Sequence, residues 1–155
     1  MQQQPLTNFR SLTVLHFSLL VGQVMFAAIA YYTVYSGSMG KMDLGKNETA
    51  ILIAVATFAL AMIVLSFSMY KKKIALLKDN NQPVKEKLMA YRAANLIRWA
   101  MMEAPVLLAI VLYMLTGDYN YMIIAGAILI LFAITRPTVS KAASELSISR
   151  EEAAG

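Results

Sequence analysis

Cysteine is absent from the 155 residues, which removes disulfides, thiolate metal sites, iron–sulfur clusters and a cysteine nucleophile together. Histidine occurs once, at His16, so no imidazole metal cluster can form. The aspartates, Asp43, Asp79 and Asp118, all fall in loop-like stretches, which leaves no Ser-His-Asp arrangement. Charged residues make up only 15% of a chain that is 59% hydrophobic, far too apolar a balance for a small soluble domain. The composition is that of a membrane protein. A net charge of +5 does not argue for nucleic acid, because the basic residues flank apolar runs and form no face interleaved with aromatics. The electrostatic partner to expect is a lipid bilayer with anionic headgroups.

Four apolar stretches are present. Residues 1–8 form a polar, glutamine-rich tail expected to fray. The first span covers about 12–35 and contains His16, Ser18, Gly22 and Gln23. A cleaved leader ending at Ala28-Ile29-Ala30 is the competing reading, but the apolar run is too long and Arg10 is its only basic flank. Residues 36–48 have loop composition, and 49–70 form a second span free of charge. A basic connector follows over 71–93, with Lys71, Lys72, Lys73, Lys78, Lys85 and Lys87 and a turn signal at Asp79-Asn80-Asn81 and Pro83. After Pro83 a helical pattern runs without a break into the third span, 94–115. Gly117, Asp118 and Asn120 make a tight turn that should pack the third and fourth spans side by side. The fourth span, 121–136, is closed by Arg136-Pro137; in the tail, 137–155, a short surface helix over 138–146 and a capping box at Ser149 and Glu152 are expected.

The whole chain therefore reads as a single all-α, polytopic membrane domain, a four-transmembrane-helix bundle. Sliding the first span by 82 residues onto the third pairs Arg10 with Arg92 and Tyr31 with Tyr113, an alignment compatible with two duplicated helical hairpins. The tails and the long connector hold ten basic residues, whereas the other two loops hold only Lys41 and Lys46. Positive-inside then places both termini and the connector in the cytoplasm, with a bacterial inner (plasma) membrane as the expected location. The aromatics fit the same scheme, with Tyr31, Tyr32, Tyr35, Tyr113, Tyr119 and Tyr121 at the outer interface and Tyr70, Tyr91 and Trp99 at the inner one.

Function should centre on the third span, which carries Arg98, Glu103 and Pro105. An ionised group deep in such a helix costs about 2.5 to 3.5 kcal/mol, enough to cancel most of the gain from its aliphatics. Arg92, Asn95, Trp99 and Glu103 share one stripe, whereas Arg98 lies off it and is expected to snorkel toward the headgroups. Pro105 frees the carbonyl of Met101 beside Glu103, a spare acceptor next to an acid. His16 and Gln23, seven residues apart, share a face of the first span within reach of Glu103 and are expected to act as interhelical glue. The pairs Ser18 and Gly22, Ala50 and Ala54, and Thr57 and Ala61 supply small residues for close helix packing. Lys71, Lys72 and Lys73 are candidate contacts to acidic lipid headgroups.

Three families bear comparison. Duplicated rotary-ATPase proteolipids are similar in having four helices and one buried acid in about this length. The grouping Arg92-Ala93, Asn95, Glu103 and Pro105 resembles a motif of the membrane-associated eicosanoid and glutathione family, which would imply a glutathione-binding enzyme, although the motif here lies on the third helix. With Ala100 to Glu103, Leu115 to Gly117 and Pro137-Thr138, the chain most resembles small four-span bacterial membrane proteins of uncharacterised function. That resemblance implies the fold and lends no activity.

The leading expectation is an integral membrane protein without a catalytic site or cofactor, self-associating as a homo-oligomer or joined to a membrane-protein partner. A small proton- or ion-coupled transporter centred on Glu103 is the alternative. The topology is checked by cysteine accessibility: a cysteine at Asn80 is labelled only after the cytoplasm is opened and one at Ser38 without opening it, and reversed accessibility refutes the arrangement.

Overall fold

In a computed structural model, residues 9–154 are described and fold into six α-helices: α1 (Phe9–Tyr35), α2 (Glu48–Lys78), α3 (Val84–Thr116), α4 (Tyr119–Ile134), α5 (Val139–Leu146) and α6 (Arg150–Ala154), with a 3-10 turn over Gly45–Asn47 before α2. The glutamine-rich tail lies outside the described residues. Local chemistry sets the helix ends. Pro83 holds extended geometry, and its carbonyl accepts from the Glu86 and Lys87 amides at 3.0 and 3.1 Å to start α3. Gly117 ends α3 at φ 70°, and its amide donates to the Tyr113 carbonyl at 2.7 Å. The left-handed backbone at this position is what favours glycine, since the atom nearest to an added Cβ, Lys41 Cε at 2.8 Å, ends a flexible side chain that can move aside. Asp118 then caps α4 by accepting from the Asn120 amide at 2.9 Å. The tight α3–α4 turn is thus formed as its residues predict.

The helix after Pro83 forms as the sequence pattern suggests, whereas the second helix runs on past the end of its apolar segment. Helix α2 continues through Lys71, Lys72 and Lys73 to Lys78, and α3 begins at Val84, so only the turn around Pro83 separates them. A turn of helix rich in lysine stays helical when its apolar face is covered, and Ile74 and Leu77 are both buried. At 1.5 Å per residue, α2 and α3 are roughly 46 and 50 Å long, against about 30 Å for a hydrocarbon core. Both therefore extend together beyond any bilayer they cross, at the end of the bundle that carries the lysines.

Helix α3 is the hub. It packs on α1, α2 and α4, while α1 and α2 barely touch each other among the described residues. The packing thus lacks the symmetry of two duplicated hairpins. The α1–α2 linker is long and places its backbone on the end of α3, Met42 N donating to Leu115 O at 2.7 Å, whereas the α3–α4 turn forces those two helices together. Along α1 the buried positions Phe9, His16, Gln23 and Ala30 recur every seven residues, with Leu12 beside them, as a seam facing the hub. Tyr91, Tyr113, Tyr121 and Trp99 are also buried, so their rings face neighbouring helices. Their rings fill the spaces between helices, where large rigid side chains contribute most apolar contact.

Helices α1, α2 and α3 are long and apolar enough to cross a membrane; α4 and α5 together form a fourth candidate, bent by 73° at Thr135–Thr138. The 16 residues of α4 reach only about 24 Å, less than the ~30 Å core. Its helix stops at Ile134, before the Arg136-Pro137 close read from the sequence. Helix α5 turns back across the basic end and packs on α2, with Ala142, Ala143 and Leu146 buried. Helix α6 carries the expected capping box: Ser149 N donates to Glu152 Oε2 at 2.8 Å and Glu152 N to Ser149 Oγ at 3.1 Å.

The donation from the Ser149 backbone, then the bond with its hydroxyl, holds the Glu152 carboxyl below the usual carboxylate range. A lowered folded-state value means that the cap is intact above the ordinary value of about 4.3 and fades as pH falls through the lower folded value. Carboxyl-carbon NMR should therefore show Glu152 titrating below the ordinary glutamate value. Titration of Glu152 at the ordinary value would show that the box does not form.

Candidate functional site

The polar residues of the bundle converge where α4 ends. A helix leaves its last carbonyls without partners, and a short helix leaves them inside the protein. The Phe132 carbonyl accepts from Thr135 N at 3.0 Å, from Thr135 Oγ1 at 2.6 Å and from His16 Nε2 at 3.0 Å. Because a carbonyl only accepts, Nε2 is the protonated ring nitrogen of His16. The imidazole stacks on Phe132 at 4.9 Å and leans on Trp99 at 4.8 Å, and these rings hold it in place. One turn on, the Thr135 carbonyl accepts from an Arg98 guanidinium nitrogen at 3.2 Å. Side chains from α1 and α3 thus cap the end of α4, and the positive one sits at the negative pole of the helix.

Arg98 is only 2% exposed, so its charge has to be accommodated by protein. The same terminal nitrogen donates to Asn95 Oδ1 at 2.7 Å, and Asn95 is held in turn by donating to the Tyr91 carbonyl at 2.9 Å. The guanidinium carbon lies 3.8 Å from the centre of the Tyr70 ring and 5.8 Å from that of Phe67, a cation–π arrangement with α2. The Tyr70 hydroxyl donates to Glu145 Oε2 of α5 at 2.6 Å. One arginine therefore links the end of α4 to α2 directly and to α5 through a tyrosine. Arg98 Nε is buried without a hydrogen-bond partner.

The expected polar stripe is thereby rearranged. Asn95 and Trp99 do point inward, but Arg98, expected to snorkel toward the headgroups, is the buried centre. Arg98 is drawn inward because the unsatisfied Thr135 carbonyl and the Tyr70 ring offer it better partners than an apolar surface does. Glu103 is half-buried on the flank of α3, without a hydrogen bond or ion pair among the described residues, and so is not joined to His16, Gln23 or the Met101 carbonyl. Helix α3 continues through Pro105, which is itself buried. His16 acts as interhelical glue as expected; Gln23 is equally buried, but neither atom of its amide has a partner. Arg92 lines an open depression with Arg10 and Ser18 between α1 and α3. Lys71, Lys72 and Lys73 are exposed on α2. Among the described residues no three histidine or acidic side chains gather as metal ligands.

Sequence reasoning missed Tyr70, Phe132, Thr135 and Glu145 as members of this cluster. Tyr70 and Glu145 are 75 residues apart, and the groups used at Phe132 and Thr135 include backbone carbonyls, which no side-chain pattern reveals. What the cluster does chemically is hold three helices and the α4–α5 bend in one arrangement.

Two substitutions separate its parts. Arg98→Met should loosen the end of α4 and lower stability in detergent by about 0.6 to 2 kcal/mol, the range for interhelical hydrogen bonds in membranes. Tyr70→Phe keeps the ring over Arg98 and loses only the bond to Glu145. Hydrogen exchange should then rise in α5 but not at the end of α4, and equal effects from the two variants would contradict the assigned contacts. No protein-family model, curated protein or solved structure matches this chain.

Proposed function

We propose that the chain is an integral membrane protein that acts through assembly, as a self-associating protein or as an accessory subunit, with Glu103 at the contact between subunits. The observation that carries this reading is the position of Glu103, half-buried on the flank of the hub helix with no partner among the described residues. A carboxylic acid at membrane depth is stabilised only by a partner or by water, and a neighbouring subunit can supply the partner. The small residues support the same reading. Ser18 and Gly22, Ala50 and Ala54, and Thr57 and Ala61 all face outward, and an added Cβ at Gly22 meets nothing within 4 Å. These residues do not serve the close packing within the bundle expected of them; on an outer surface they allow another helix to approach closely. The membrane is the bacterial inner membrane, with both termini and the lysine-rich end in the cytoplasm, following the distribution of basic residues.

Native mass spectrometry from mild detergent, compared across Glu103 variants, tests this. Glu103→Gln retains hydrogen bonding and should preserve the oligomer; Glu103→Leu should weaken it by about 0.6 to 2 kcal/mol. A monomeric wild-type protein, or a Glu103→Leu oligomer as stable as wild type, would refute the proposal. A Glu103→Gln protein that assembles normally but loses pH-dependent flux in proteoliposomes would favour proton or ion transport instead.

A further inference from the structure

Between α2 and α3, at the lysine-rich end, lies a groove of about 260 Å³. Met69, Ala93 and Ile97 supply apolar wall, and Tyr70, Lys73 and Arg98 also line it. Two positive charges thus border it, and no carboxylate lines it. The acid nearest to Arg98 in this network, Glu145, is engaged by the Tyr70 hydroxyl. Arg98 makes no ion pair among the described residues, and its Nε is buried and unpartnered. The groove therefore carries the Arg98 charge, which no carboxylate meets directly, together with a second cation, Lys73, and an apolar wall. An anion with an apolar extension complements it, and the groove faces outward where such molecules are the solvent.

We propose that the α2–α3 groove binds one anionic glycerophospholipid per protomer, with its phosphate at Lys73 and over Arg98 and the first methylenes of a chain along Met69 and Ile97. The volume admits the phosphate–glycerol end of the molecule and leaves the rest of the chains in the bilayer. This inference rests on the membrane location proposed above and is independent of self-association. It also narrows the three-lysine cluster to one residue, because Lys73 alone of Lys71, Lys72 and Lys73 lines the groove.

The test uses the full chain in mild detergent, with native mass spectrometry reading retained lipid and oligomeric state separately. Phosphatidylglycerol should be retained about five-fold over phosphatidylcholine, the ratio that one lysine contributes near an anionic headgroup. Lys73→Gln should abolish that preference, and Lys78→Gln, which removes the same charge outside the groove, should leave it intact. Ala93→Phe, which fills the groove without altering charge, should reduce retention of both lipids. Equal retention of the two lipids by wild type, or equal losses from Lys73→Gln and Lys78→Gln, would overturn the proposal. Displacement of phosphatidylglycerol by millimolar inorganic phosphate would overturn the lipid assignment in favour of a free-anion site.

Discussion

The unsatisfied carbonyl end of α4 is the constraint on which the arrangement of this bundle depends. The end of this 16-residue helix, at Phe132 and Thr135, is buried among the other helices, so the donors to its last carbonyls have to come from protein. His16 of α1 and Arg98 of α3 supply them. Once Arg98 is committed there, its remaining surface needs a partner of its own, and the Tyr70 face from α2 provides it. Tyr70 in turn engages Glu145, and α5 is drawn back across the same end. Each step follows from the need to satisfy a polar group left by the one before.

The arginine is held by diffuse electrostatics instead of a direct ion pair. An aromatic face, an amide oxygen, a backbone carbonyl and a helix pole each contribute part of what a carboxylate would supply. A close carboxylate would give more attraction, at the further cost of burying a second charge. Leaving the acid one residue removed, behind Tyr70, keeps Glu145 half-exposed at the rim and avoids most of that cost. It also leaves positive charge near the α2–α3 groove, the feature on which the lipid inference rests.

The hydrogen bonds that Arg98 and His16 make inside the bundle contrast with the flanks of the molecule. Glu103 has no internal partner, and the small-residue pairs of α1 and α2 face away from the bundle. A bundle whose flanks carry unspent polar and close-packing capacity is suited to association. That contrast separates the residues that hold the fold from those available to a neighbour, a distinction the residue types alone do not make: Arg98 and Glu103 are both ionisable residues and only five positions apart.

By itself, the sequence determined the helical class, the approximate positions of the four apolar segments, the tight α3–α4 turn and the Ser149–Glu152 cap. These are local properties, set by runs of apolar residues and by side chains that bond to backbone a few residues away. It also determined that His16 and Gln23 share a face, because that follows from helical period. Tertiary structure alone decided that α4 stops short, that α1 and α2 stand apart around α3, and that Arg98 rather than Glu103 is the buried charge. A side chain's direction in this bundle depends on which distant carbonyl or ring needs it, and the Thr135 carbonyl and the Glu145 carboxylate come near Arg98 and Tyr70 only after the helices have packed.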